Sequence, residues 1–533
     1  MTASALTTPI VDAILSVAAT IDPAVRVELS QPATQENGDL ATPVAMSLAK
    51  AARRAPRDIA VEIAAALEAR DDVAAVEVAG PGFVNITLAP SWFATAASAI
   101  VAAGPRYGAG VAAPAKRIHL EYVSANPTGP LHVGHARHAA FGDSLGRILE
   151  FAGHDVFREY YVNDFGRQID LFGQSVAARI DQLRGIDTPV PEDGYHGEYV
   201  TEIAEALEGE GLEGAGLGAR AQHLMLERTK RDLQRFRVRH DAFFSEASLH
   251  ASGQVVAGID RLLASGDAYE RDGAIWFRTT AYGDEKDRVL RRADGTTTYI
   301  APDIGYHLDK AARGYEVLIN VLGADHHGYL QRLRAVLAAG GHDPTMLEIP
   351  LIQLVSLVEG GEEKKMSKRA GTGVALSELI DDIGVDAARF FLVQRANETP
   401  FELDLAVARE QSRENPVYYA QYVHARACNV LERVGQVGAG STPPVVEPAE
   451  RALTLRLVEW PDVVSEAERR LAPHRVVAYL IELARDFHVF YEQCRVYDAP
   501  EDVKPFRVEL TRAVRSVMAI ALDLLGVDAP ERM

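Results

Sequence analysis

The stretch from Ile118 to Ala152 constrains this chain more than any other. IHLEYV reads as a short strand, SANPTGP as a loop, and AFGDSLGRILEFAG as a helix whose Phe141, Leu145, Ile148 and Ala152 share one face. Strand, tight loop and helix together present a helix N-terminus, with its free N–H groups, to an anion. Further apolar strands at VLINVL and IPLIQLV, with helical material from Tyr329 to Ala339 between them, continue the alternation. Short buried strands alternating with helices predict an α/β domain on a largely parallel sheet.

A chain of 533 residues exceeds what one core organises, so several domains are expected. Residues 1–112 mix helical patterns with the strand-like VEVAGPGFVNITLAP, where Val84, Ile86 and Leu88 alternate with Asn85 and Thr87, as in a half-buried strand. GPRYGAGVAAPAK reads as a connection. Residues 180–290 form a long excursion, with TPVPEDGYHG and GEGLEGAGLGA as surface loops and HLMLERTKRDLQRF as a charged helix. After about residue 405 helices dominate. Val476, Leu480, Leu483, Phe487 and Phe490 recur at intervals of three or four, which predicts a helical bundle.

The first thirty residues lack a basic leader region and are interrupted by Asp12, Asp22 and Glu28, which suits an amphipathic helix rather than a secretion signal. No apolar run is long enough for a membrane span. Cys428 and Cys494 are too few for a disulfide framework or a four-thiolate zinc site, so a cytoplasmic protein without structural zinc is expected. The formal charge of −20 opposes a nucleic-acid partner and confines any RNA contact to local basic patches.

Several residues carry candidate chemistry. Pro127, Gly129 and Pro130 hold the loop, and Gly134 allows close backbone approach. His132 and His135, three apart at the helix start, suit either capping and packing or hydrogen bonds to phosphate. KKMSKRAGTG, with Lys365, Lys368 and Arg369 bordered by Gly371 and Gly373, reads as a solvated basic loop or as a mobile clamp on phosphates. Glu121 ends the first strand and Asn126 follows in the loop; Tyr299 and Asp303 lie four apart, and Asp325 ends a later strand. Singly, each acid reads as a surface or capping group. Converging on one pocket, they would suit a guanidinium, which needs planar carboxylate partners. His326 and His327 adjoin Asp325 and are open between packing and a nucleotide role.

SANPTGPLHVGH closely resembles the His-x-Gly-His segment of class I aminoacyl-tRNA synthetases, including the Asn and Pro typical of the arginyl-tRNA synthetase family. KKMSKRAGTG resembles their Lys-Met-Ser-Lys loop, about 230 residues further on. REYYVNDFGRQI matches the family's Asp-x-Gly-x-Gln pattern at Asp164, Gly166 and Gln168. QENGDLATPVAMSLAK and GPGFVNITL are similar to segments of its N-terminal domain, and ENPVYYAQYVHAR with the APERM ending to its anticodon-binding domain.

The resemblance implies a multidomain α/β protein. An N-terminal α+β domain (1–112) would bind the tRNA elbow, a class I Rossmann-like parallel-sheet catalytic domain (113–404) would carry the 180–290 insertion, and an all-α anticodon-binding bundle (405–533) would follow. It implies ATP, as substrate with Mg2+, at Gly134, His132, His135, Lys365, Met366, Ser367 and Lys368, the histidines and lysines being catalytic. Arginine would lie at Glu121, Ser124, Asn126, Gln168, Tyr299, Asp303 and Asp325, and tRNA(Arg) at Phe83, Asn85, Tyr418, Tyr422 and Arg426 of a monomer. A cysteinyl-tRNA synthetase shares both segments but needs cysteine-rich zinc ligation, and no Cys precedes residue 428. A noncatalytic paralogue is disfavoured by the presence of His132, His135, Lys365 and Lys368.

Overall fold

The computed structural model describes residues 6–32, 34–326, 328–363, 374–438 and 441–533. Its central feature is a five-stranded sheet made of β1 (Arg117–Glu121), β2 (Asp155–Val162), β3 (Ala242–Ser245), β4 (Val317–Asn320) and β5 (Leu347–Glu348). The order is β5-β4-β1-β2-β3 and every pairing is parallel. β1 is buried from Ile118 to Glu121. Covered on both faces, it must find partners inside the protein for its two polar side chains, His119 and Glu121. Helix α1 (Val133–Ala152) follows β1, and helix α2 (Ile300–Ala312) precedes β4 and supplies Lys310 to Glu121, while His119 pairs with Glu159 of β2 at 3.0 Å.

The expected stripe of Phe141, Leu145, Ile148 and Ala152 is buried, but so is most of the rest of α1. Helices Leu376–Val393, Trp460–Arg469 and Lys504–Leu524 also pack against it. Glycines permit this crowding. A Cβ at Gly142 would stand 2.3 Å from the Tyr122 ring, and one at Gly146 would stand 2.7 Å from Arg158 Nε.

The excursion at 180–290 has two parts, because β3 lies within it as the edge strand of the main sheet. Helices Arg167–Leu183, Glu198–Leu207 and Gly214–Arg235 form a separate apolar cluster before β3. An antiparallel sheet of 268–271, 274–277 and 288–291 follows it. GEGLEGAGLGA is not wholly a surface loop: its second half opens the Gly214–Arg235 helix. The helix crossing there is close at Gly218, and it is Gly173 that must lack a side chain, since a Cβ at Gly173 would meet Gly218 Cα at 2.9 Å.

In the N-terminal segment, strand Phe83–Leu88 lies between 40–42 and 73–79. Val84, Ile86 and Leu88 are buried as expected, but Asn85 is buried too and Thr87 is half-buried. The strand is central, and at Asn85 its neighbours are Ala41 and the exposed Glu77, between which Asn85 is 8% exposed. The C-terminal part contains helices Pro416–Val434, Pro448–Val458, Trp460–Arg469, His474–Gln493 and Lys504–Leu524. Among the described residues no helix is long and apolar enough to cross a membrane.

One buried ion pair fastens the Leu376–Val393 helix to α1 and reaches the bundle through the carbonyl of Leu525. Arg389 donates to Asp143 at 2.6 Å, to Leu525 O at 2.7 Å and to Phe236 O at 2.9 Å, and both charged side chains are fully buried. Asp143→Ala leaves the guanidinium without its counter-charge and is expected to cost about 3–5 kcal/mol, read as a lowered urea midpoint; an unchanged midpoint would contradict this account.

Candidate active site

A cleft of about 860 Å³ opens at the carboxyl ends of β1 and β4. The chain departs from these neighbouring strands in opposite directions across the sheet, a topological switch point where α/β folds gather ligands. Beyond β1 the backbone turns through Val123 (φ 71°) and Ser124 (φ 44°), conformations unfavourable to L-residues and most of all to a β-branched valine. The turn sends Ser124 Oγ back to donate to Glu121 Oε1 at 3.0 Å while it accepts from Tyr161 N–H at 3.1 Å. Tyr160 donates to Ala125 O at 2.8 Å and Tyr199 to Thr128 O at 2.9 Å, bracing the loop.

The loop delivers the histidines to the start of α1. His132 is the N-cap: its Nδ1 accepts from Gly134 N–H at 3.1 Å, and its own N–H donates to His135 Nδ1 at 3.3 Å. The rings stack with centroids 3.8 Å apart. Capping and ligand binding are therefore compatible. With both Nδ1 atoms accepting, the proton of each neutral ring resides on Nε2, available to an anion at the helix N-terminus. Burial lowers the pKa of His132; burial and the neighbouring His132 and His138 take His135 down to about 3. His138, one turn further and also on the cleft wall, falls to about 4.

Helix α2 forms another wall. Asp303, Tyr306 and His307 line the cleft with Tyr299 at the helix start, and Lys310 lies beneath. Tyr299 is 80% exposed. Asp303 is half-buried and, among the described residues, has no Lys or Arg within ion-pair distance. Burial, with Glu121 and Glu246 nearby, pushes its carboxyl up to about 8. Lys310 is fully buried and paired with Glu121.

Of the residues singled out by sequence, Glu121, Ser124, Asn126, His132, Gly134, His135, Tyr299, Asp303 and Asp325 share this cleft. Asp325 is largely exposed, with His326 Nε2 at 3.6 Å. Gln168 is outside the cleft lining and accepts a hydrogen bond from Asn126. Asp164 is tied up locally, accepting from Ser245 Oγ at 2.6 Å and Ala247 N–H at 2.7 Å. Lys365, Met366, Ser367, Lys368 and Arg369, with Gly371, Gly373 and His327, lie outside the described residues. Sequence reasoning missed Tyr306, His307, Lys310 and Asn320. The first three follow Asp303 at intervals of three, four and seven, a polar helical stripe in an otherwise apolar segment.

Far from the cleft, Phe83 is 41% exposed whereas Asn85 is 8% exposed, so alternation gives them one face but unequal access. Arg426 packs over the Tyr422 and Tyr491 rings at 5.0 and 5.1 Å, beside a cavity of about 160 Å³ that Arg413, Phe487 and His488 also line. Tyr418 is half-buried and does not line it.

A parallel sheet with paired histidines at its switch-point cleft is the arrangement of a class I tRNA synthetase, and the family described as "tRNA synthetases class I (R), catalytic domain" matches residues 98–190 and 207–406. "Arginyl tRNA synthetase N terminal domain" matches 4–88 and "DALR anticodon binding domain" 420–533. An arginine–tRNA ligase of Shouchella clausii is 43% identical over 524 residues, covering 95% of this chain and 94% of the relative. That of Geobacillus kaustophilus is 44% identical over 525 residues, with the same coverage. The Thermus thermophilus arginyl-tRNA synthetase structure superposes with a TM-score of 0.78 at 23% identity, covering 99% of this chain and all of that one, a likeness of fold. The chain belongs to the arginyl-tRNA synthetase family.

The histidine geometry has a spectroscopic consequence. At pH 6 the ¹⁵N shifts of His132 and His135 should report neutral Nε2–H tautomers. Their depressed pKa values also make folding stability, complete above about pH 6.5, fall as the unfolded chain takes up protons toward pH 3. Imidazolium shifts at pH 6 would refute this arrangement.

Proposed function

We propose that the protein attaches L-arginine to tRNA(Arg) in two steps. The arginine carboxylate attacks the α-phosphorus of ATP, forming arginyl-adenylate and releasing pyrophosphate. A hydroxyl of the terminal tRNA ribose then attacks the activated carbonyl, releasing AMP. No side-chain nucleophile is needed, so the protein acts by positioning and by stabilising charge. The observation that carries this reading is the sharing of one cleft by paired Nε2–H histidines at a helix N-terminus and a carboxyl group, Asp303, that has no Lys or Arg partner among the described residues.

In this reading His132, His135 and the Gly134 backbone receive ATP, with Lys365, Met366, Ser367 and Lys368 closing over it. Glu121, Ser124 and Asn126 hold the α-amino and carboxyl end of arginine, Gln168 acts through Asn126, and Tyr299 with Asp303 takes the guanidinium. Asp325 lies at the cleft edge as a secondary acid. Among the described residues no three metal-ligating side chains cluster, so Mg2+ would arrive on the phosphates of ATP. The tRNA would meet Phe83 and Asn85 in a domain spanning 1–112, and Tyr418, Tyr422 and Arg426 in one spanning 405–533, either side of the catalytic domain at 113–404. We place this monomer in the cytoplasm.

Arginine-dependent exchange of pyrophosphate into ATP, and charging of tRNA, test the function; absence of both with tRNA(Arg) present would overturn it. Asp303→Asn should raise the KM for arginine roughly ten- to a hundredfold and leave that for ATP unchanged, the loss of one charge-assisted contact. A cation favours the carboxylate form, so below about pH 8 arginine binding must expel the Asp303 proton. Affinity for arginine should therefore rise with pH up to about 8, with calorimetry in buffers of different ionisation enthalpy showing one proton released; a Kd flat between pH 6 and 8 would exclude this coupling.

A further inference from the structure

A pocket for a guanidinium has a fixed cation in its floor. Lys310 Nζ is fully buried, donates to Glu121 Oε2 and, at 3.0 Å, to Asn320 Oδ1, and lies 4.0 Å from the centre of the Tyr306 ring. Glu121 and Asn320 are cross-strand neighbours at the ends of β1 and β4, so one ammonium spans the switch point. The other oxygen of Glu121 accepts from Ser124 Oγ at 3.0 Å. Both oxygens are therefore engaged and the charge is matched, which leaves Glu121 unable to offer a guanidinium the two free oxygens of a bidentate pair. Asp303 has no such partner among the described residues.

Arginine carries a cation at each end, and the two less exposed acids of the cleft, Glu121 and Asp303, would accept it in either direction, with Asp325 largely exposed at the edge. We propose that Lys310 is a positioning residue for arginine activation: it holds Glu121 as a singly oriented carboxylate that takes the α-ammonium through Oε1, and leaves Asp303 rather than Glu121 as the bidentate partner for the guanidinium. The inference rests on the reading of Glu121 and Asp303 as arginine contacts. Lys310 thereby decides which end of the amino acid reaches the phosphate.

The surrounding charges agree. Burial alone would raise the Glu121 carboxyl, but Lys310 holds it below its ordinary value. The other ionisable groups around the pair are Glu159 and Tyr161 of β2, His119 of β1, and Asp303, Tyr306, His307 and Arg313 at α2. Both histidines are depressed by burial and by Lys310 itself, so neither replaces the ammonium at neutral pH.

Lys310→Met keeps an unbranched chain and removes the charge. It should raise the KM for arginine roughly ten- to a hundredfold with the KM for ATP unchanged. Without the ammonium, burial raises the Glu121 carboxyl, so the slope of log KM for arginine against pH between 6 and 8 should steepen from one proton toward two. The Glu121→Gln, Lys310→Met double variant, which removes both charges and avoids a stranded buried ion, should match Glu121→Gln alone in arginine KM. If Glu121→Gln is defective while Lys310→Met retains the wild-type KM and slope, or if the two effects multiply, the proposal fails. If Glu121→Gln itself leaves the arginine KM untouched, the assignment of Glu121 fails and the proposal falls with it.

Discussion

Two carboxylates, Glu121 and Glu159, stand side by side in register near the carboxyl ends of adjacent parallel strands, and both are buried. Buried acids at such spacing need compensation from the layer above the sheet. Helix α2 provides it through Lys310 to Glu121, and through Tyr306 (2.9 Å) and Arg313 (2.7 Å) to Glu159, with His119 completing the second set at 3.0 Å. These contacts set the rotation of α2 about its axis. That rotation in turn brings Asp303 to the cleft on the same face, two turns before Lys310. The pocket is thus a by-product of how the sheet neutralises itself.

Much of the architecture was legible because its signals are local. Strand, loop and helix at 118–152, the helix at 329–339 and the stripe of α-helix 474–493 each declare themselves within a few turns. Paired histidines and scattered acids also converged in one cleft as expected. What escaped were features defined by partners distant in sequence. Lys310 reads as an ordinary helical lysine until Glu121, 189 residues away, is placed against it. β3 is a four-residue strand recognisable only by its pairing with β2, and Gly218 looks like loop composition until the helix containing Gly173 crosses it. Asn85 is polar in a pattern of alternation, yet between two neighbouring strands it is only 8% exposed.

The charge of −20 is similarly a sum that conceals its parts. Many arginines are engaged with acids, as Arg456 is with Glu459, Glu482 and Asp486 at 2.7–2.9 Å. Arg426 instead faces tyrosines beside a small cavity, with Arg413 on the same wall. An acidic whole and a cavity wall with two arginines beside tyrosines coexist because much of the positive charge is paired with acids elsewhere.

Helix α1 has twenty residues, a rod of about 30 Å. The histidine pair caps its first turn, whereas Asp143, midway along it, accepts from Arg389, which also donates to the backbone carbonyl of Leu525. Small residues and close neighbours on its sides leave it little room to bend. Such a rod acts as a pointer pivoting at its middle. A tilt of about one degree about Asp143 moves its tip by a few tenths of an ångström, and reaction geometry is sensitive on a scale of about 1 Å. Mechanical registration between the bundle and the histidines is therefore a matter of fractions of a bond length, set by a contact that touches no substrate.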